Sequence, residues 1–175
     1  PEDCDVFILT RDSNRFLALH PEFAALDWLT LLSGDIQVRD SLPWDHSFSH
    51  VIHAATESTQ ISRLTSLQCY DQIVLGTRNI LDLAAAIGVR RFLLTSSGAI
   101  YAPQPADHVA ISEDWLSAPS LSDPETVYGQ AKRAAEHLCA LFGEHYGLPT
   151  VVARCFAFVG PDLPLNVHYA IGNFI

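Results

Sequence analysis

Cationic residues are scarce in this chain. Ten Lys and Arg face twenty Asp and Glu among 175 residues, for a formal net charge of −10. Such a surface repels phosphate backbones and anionic lipid, which argues against nucleic-acid or membrane-surface partners; a phosphorylated small molecule held by a few local groups stays possible. Cysteine is sparse as well. Cys4, Cys69, Cys139 and Cys155 show no C-x-x-C spacing, and the last three fall in apolar segments where buried free thiols are usual, so the expected compartment is reducing. No apolar run approaches the length of a membrane span and no signal-peptide pattern is present, so the expected location is the cytoplasm. What the chain has in quantity is core material. With 49% hydrophobic and 17% charged residues it can fill one soluble globular domain.

In order, Val6 to Leu9 reads as a short buried strand, Asn14 to His20 as a short helix stopped before Pro21, and Leu26 to Leu32 as a second strand ending at Ser33-Gly34-Asp35-Ile36. A helix or turn lies around Pro43-Trp44. His50 to Ala55 is a third strand, whose small Ala54 and Ala55 let a ligand approach the backbone. A long helix is expected from Thr65 to Ile87, with Leu67, Tyr70, Val74, Thr77, Leu81 and Ala84 at three- and four-residue steps and Gly88 at its cap. Arg91 to Thr95 is the fourth strand. The proline-bearing stretch from Tyr101 to Glu125 reads as a long loop, uncommon in a compact domain and usually functional, so it is expected to cover a site. A second long helix spans about Glu125 to His145, with Ala131, Ala135, Leu138, Cys139 and Phe142 on its apolar face. Thr150 to Phe156 is the fifth strand, before the turn Val159-Gly160-Pro161. Strands alternating with helices imply a parallel sheet with helices on both faces.

The chemistry centres on Tyr128-Gly129-Gln130-Ala131-Lys132. Residues four apart share a helix face, so Tyr128 and Lys132 stand side by side. An ammonium beside a phenol stabilises the phenolate, which lets the tyrosine exchange a proton with a substrate hydroxyl near neutral pH. Ser97 follows the buried run Phe92-Leu93-Leu94, and the ligand crevice of an open α/β sheet lies at the carboxyl ends of its strands, so Ser97 supplies the companion hydrogen bond. Each has a plainer reading. Tyr128 and Lys132 could be a solvated surface pair, and Ser97 could cap its own backbone. His46, His50 and His53 resemble a metal cluster only at first sight, because a strand alternates its faces and no acid or thiol completes the set; no metal is expected, and His53 reads as a satisfied strand-end residue.

These residues together resemble the extended short-chain dehydrogenase/reductase family, and within it the nucleotide-sugar epimerases and dehydratases. The likeness rests on Gly34-Asp35-Ile36, Val51-Ile52-His53-Ala54-Ala55, Gly76-Thr77-Arg78-Asn79-Ile80-Leu81, Thr95-Ser96-Ser97-Gly98-Ala99-Ile100-Tyr101, Tyr128 with Lys132, and Arg154 to Pro161. It implies an α/β, Rossmann-like doubly wound parallel sheet flanked by helices, and hydride transfer through NAD or NADP at a sugar carbon. Ser97, Tyr128 and Lys132 would be the catalytic set. Thr10, Arg11, Asp35, Ile36, Ala54, Ala55, Thr95, Ser96, Tyr128, Lys132 and Phe156 would hold the cofactor, and Ser97, Gly98 and Asn173 the nucleotide-sugar substrate.

The chain departs from the family pattern in three ways. The first strand and the Gly-rich loop that cradles a pyrophosphate at a helix N-terminus are lacking, as is most of the substrate-binding lobe, so residues 1–175 read as a single partial domain. Thr10-Arg11 stands where an acid would hold the ribose, beside Asp12, which keeps NAD and NADP both open. Gly98-Ala99 replaces the Asp-Glu of the dehydratases, which favours an epimerase or reductase, and Ala157 stands where the family has Asn. Two expectations follow. The long helices pack side by side and pair with a second subunit, and the 175-residue chain alone binds dinucleotide weakly or not at all. The competing classes are a non-catalytic nucleotide-binding or truncated family member and a reductase of a non-sugar carbonyl.

Overall fold

The computed structural model describes residues 4–56, 64–156 and 160. Among these residues five strands form, all paired in parallel. β1 (Val6–Thr10) pairs with β2 (Leu29–Ser33), and β3 (His50–His53), β4 (Arg91–Ser97) and β5 (Thr150–Cys155) form a three-stranded ladder in that order. Parallel neighbours need a crossover. The short α1 (Ser13–Leu19) links β1 to β2 through a 3-10 turn over Pro21–Ala25. Two long helices serve the other ladder: α2 (Ser66–Ala86) between β3 and β4, and α3 (Val127–Tyr146) between β4 and β5.

Local chemistry sets most boundaries. The Asp12 side chain accepts the Arg15 backbone N–H at 2.9 Å and starts α1. Thr65 and Gln68 make a reciprocal capping box at the start of α2, with bonds of 2.9 and 3.2 Å. α3 ends on Gly147 in the left-handed region at φ 64°, where a side chain would be strained. The second strand begins three residues later than the pattern suggests, because Pro21 fixes a 3-10 turn and the Leu29 N–H bonds back to the Leu26 carbonyl. β3 stops at His53, two residues short of Ala55, and β4 runs two residues further, to Ser97.

The core lies on one face of the three-stranded ladder. Alternate residues Phe92, Leu94 and Ser96 of β4 are buried there beneath α2 and α3, against Leu81, Ala84, Ala131, Ala135, Cys139 and Phe142. The two helices pack beside one another, as expected. Full burial of Phe92, Leu81 and Leu94 stabilises the fold by about 2 kcal/mol each. Among the described residues the other face is largely uncovered. Ile52, Leu93 and Val151 are in register across it, with Ile52 71% and Val151 47% exposed. Among the described residues β1 and β3 share no ladder and no common partner strand, although their carboxyl ends line the same cavity.

The buried stripe of α2 differs from the expected one in its first half. Leu67 is 78% exposed and Tyr70 is exposed too, while Cys69, Ile73 and Gly76 face inward; from Thr77 onward the expected positions Thr77, Leu81 and Ala84 are buried. The cause is that Gly76 lies against Ile36 and the Asn79 amide donates to the Ile36 carbonyl at 2.8 Å, which orients the helix toward the turn after β2.

Candidate functional site

Lys132 on α3 ties the carboxyl end of β4 to Thr56 beyond β3, and Thr56 lines a cavity with the carboxyl end of β1. The approach of α3 depends on Gly129, where a Cβ would collide with the Ala99 carbonyl oxygen, so the residue after Tyr128 lets the helix lie directly on the turn that follows β4. Lys132 is 3% exposed. Its Nζ donates to Thr56 Oγ1 at 2.9 Å and to the Thr95 carbonyl at 2.8 Å, which satisfies two of its three protons, and it stands 5.8 Å from the centre of the Tyr128 ring. Burial pulls the ammonium's pKa down from 10.5 to about 8, opposed by the nearby Cys155, Cys69 and Glu136. The pair is therefore no solvated surface couple.

Ser97 lies at the last position of β4, and its Oγ accepts the Ala99 N–H at 3.1 Å, capping the 3-10 turn Gly98–Ile100. The hydroxyl proton is not spent by that bond, so capping and donation to a substrate are compatible. Gly98 lies under the Phe156 ring, which stacks on Tyr101 with centroids 6.2 Å apart. Thr95 Oγ1 donates to the His53 carbonyl at 3.1 Å, tying β4 to β3. Ser96 points to the opposite face, with its Oγ 2.5 Å from Glu136 Oε1.

A second group of candidates lines a cavity of about 240 Å³: Thr10, Arg11, Asp35, Ile36, Ala54 and Ala55, with Leu9, Gly34, Thr56 and Gln72. Asp35 Oδ1 accepts the Gln37 N–H at 2.9 Å and its own N–H reaches Ser41 Oγ at 2.9 Å, so the carboxylate is fixed in a turn. Arg11 is exposed. Thr56 joins the two groups, since it lines this cavity and holds Lys132. The small Ala54, Ala55 and Gly34 beside a fixed carboxylate suit a flat nucleoside. Asn173 lies outside the described residues, as do Ala157, Val159 and Pro161.

His53 is buried, pairs with Thr77 Oγ1 at 3.1 Å, and its pKa is held down to about 4 by burial and then by Lys132. His46 bonds Asp45 and His50 bonds Ser49, so the three histidines do not converge. Among the described residues no group of three or more His, Cys, Asp or Glu is placed to hold a metal ion. Nothing in the local sequence marks Thr56 or Glu136, because each acts on a residue brought near only by the fold.

A model of the NAD dependent epimerase/dehydratase family matches residues 2–175. The chain is 34% identical over 101 residues to UDP-glucuronic acid decarboxylase 1 of Xenopus tropicalis, covering 58% of this chain and 23% of that protein. It is 33% identical over 118 residues to UDP-glucuronate 4-epimerase of Thermodesulfobacterium geofontis, covering 66% of this chain and 34% of the relative. Its fold is similar to the structure of RMD from Pseudomonas aeruginosa complexed with NADPH, with TM-score 0.65 and 28% identity over 89% of this chain and 55% of that one. The chain thus spans about a third or less of these two relatives and about half of that structure.

Proposed function

We propose that this chain, which belongs to the NAD dependent epimerase/dehydratase family, forms the catalytic part of an enzyme that oxidises and re-reduces a hydroxyl-bearing carbon of a nucleotide sugar. The observation that carries the reading is the buried Lys132 ammonium against the Tyr128 ring, bonded to the carbonyl of Thr95, two residues before Ser97 on β4. Tyr128 takes the proton of the sugar hydroxyl and later returns it. Lys132 favours the phenolate and keeps one proton for the ribose of the cofactor, while Ser97 orients the hydroxyl. Asp35, Ile36, Ala54 and Ala55 would hold the adenosine side, with Thr10 and Arg11 at its rim. NAD or NADP, when bound, supplies a hydride acceptor and donor. Both relatives described above carry a UDP-glucuronate in their names, which supports a nucleotide sugar as substrate.

An epimerase or reductase fits better than a 4,6-dehydratase. Elimination needs an acid and a base besides the tyrosine, and the turn after Ser97 offers only Gly98 and Ala99. A second copy of the chain docks on the paired long helices α2 and α3, against the outer face of α2, where Leu67, Tyr70 and Leu75 are exposed. The test is turnover of nucleotide sugars by the full-length protein and its Tyr128→Phe variant. The ring stays and the proton carrier goes, so turnover falls about a hundred- to ten-thousandfold while cofactor binding survives. Wild-type turnover in that variant would remove the assignment.

A further inference from the structure

The end of β4 and the middle of α3 are joined by a carboxylate that the proposed reaction does not use. Glu136 lies one turn beyond Lys132 on α3 and meets Ser96, the neighbour of Ser97, at 2.5 Å. Its other contacts are with Arg154 of β5: Nη2 donates to Oε2 at 2.8 Å, and Nε lies 3.2 Å from both carboxylate oxygens. Arg154 Nη1 then donates to the Tyr101 hydroxyl at 2.6 Å and to the Glu113 carbonyl at 2.7 Å. One carboxylate therefore connects β4, α3, β5 and the segment from Tyr101 to Glu113, with the ion pair only 28% and 14% exposed at its two side chains. Bonds of this kind, charged and forked, are short and directional.

We infer that Glu136 is a positioning residue, fixing how α3 sits on the end of β4 and hence where Tyr128 and Lys132 stand relative to Ser97. Gly129 permits the close approach of the helix to the turn after β4, but contact with a backbone does not stop a helix sliding along its axis. The Glu136 to Ser96 bond crosses that interface directly, and Arg154 carries the same anchor to Tyr101 and the Glu113 carbonyl. Removing it leaves every reacting group present and misplaces them; a displacement of about 1 Å costs on the order of a hundredfold in rate. The inference rests on the proposed roles of Ser97, Tyr128 and Lys132.

The charged groups facing Lys132 give a readout beyond turnover. The titratable groups around Lys132 are Glu136 on its own helix, Cys69 on α2, Cys155 on β5 and the neutral His53 on β3, and of these Glu136 carries the charge that the variants below alter. The experiment compares Ser96→Ala, Glu136→Gln and Arg154→Gln in the full-length protein. It records kcat and KM for a nucleotide sugar, cofactor affinity, and the titration of Lys132 by NMR of labelled lysine. Ser96→Ala, the mildest change, lowers kcat about tenfold or more with KM and cofactor affinity within about twofold, and Glu136→Gln lowers it by up to about a hundredfold. Glu136→Gln moves the Lys132 titration to lower pH, because it deletes a charge that favours the ammonium. Arg154→Gln moves it to higher pH, because it leaves that carboxylate unneutralised. Wild-type kcat in a folded Ser96→Ala and Glu136→Gln pair overturns the inference, as do titration shifts of the same sign in both charge variants, which loosened packing would give. A wild-type protein that turns over no nucleotide sugar refutes the proposed function instead, and the lysine titration then decides on the anchor alone, with no shift in either variant counting against it.

Discussion

Lys132 and His53 show what burial does to a cation and to a base within one site. Both lose the charged form to desolvation, the lysine to about 8 and the histidine to about 4. Lys132 keeps its charge at neutral pH because Thr56 and the Thr95 carbonyl replace water, whereas His53 stays neutral against Thr77. The sign for stability follows from linkage. An unfolded His53 takes up its proton near pH 6.5 while the folded one refuses it down to about 4, so its contribution is complete above pH 6.5 and is lost as pH falls toward 4, roughly 3 kcal/mol over the window. His53→Gln keeps an amide for Thr77 and removes the titration. Urea unfolding at pH 7 and pH 4.5 is expected to show the wild type losing more stability than the variant, and parallel losses in the two proteins would contradict this. At this scale the sequence was informative where chemistry is local: Tyr128 and Lys132 four apart, and Ser97 after an apolar run. Thr56 was invisible because its partner is 76 residues away. Glu136 was invisible because a glutamate on a helix is ordinarily solvated.

Between residues and the whole molecule, the helices and strands were legible wherever a periodic stripe met a cap. Thr65 with Gln68 starts α2 and Gly147 ends α3, and both signals lie in a few adjacent residues. The faces of α2 were less legible. Apolar spacing alone cannot separate Leu67 and Tyr70, which the structure exposes, from Cys69 and Ile73, which it buries, because the choice is made by Ile36 docking on Gly76. The exposed apolar side chains bear on assembly. Leu67 and Tyr70 lie on one side of α2, with Leu75 at its margin, and a second subunit on that side would bury them. Light scattering of the full-length protein is expected to give a dimer, and Leu67→Arg to shift it toward monomer without lowering the melting temperature of the monomer. A wild-type monomer sinks the proposal.

The molecule as a whole is two parallel ladders that share a cavity at their carboxyl ends and, among the described residues, no hydrogen-bonded strand between them. That arrangement bears on what the 175-residue chain does by itself. A dinucleotide needs its adenosine placed, its nicotinamide ribose placed, and its pyrophosphate neutralised between them. On the proposed reading Asp35, Ala54 and Ala55 would serve the first need and Lys132 the second, with Thr56 lining the cavity of the former and bonded to the latter. The pyrophosphate is ordinarily met by backbone N–H groups at the N-terminus of a helix that follows a strand. Among the described residues no helix start opens on this cavity in that way: α1 begins with Asp12 spending its carboxylate on the Arg15 N–H, and α2 begins with Thr65 and Gln68 satisfying each other. Two half-sites without a link lose the gain of joining them, because each must then bind as a separate weak fragment. Calorimetric titration of the 175-residue chain with NAD and with NADP is therefore expected to show no binding at micromolar concentrations. Micromolar affinity for either would mean that a different turn of this chain holds the phosphates, and a preference for NADP in such a titration would place Arg11 at the 2′-phosphate.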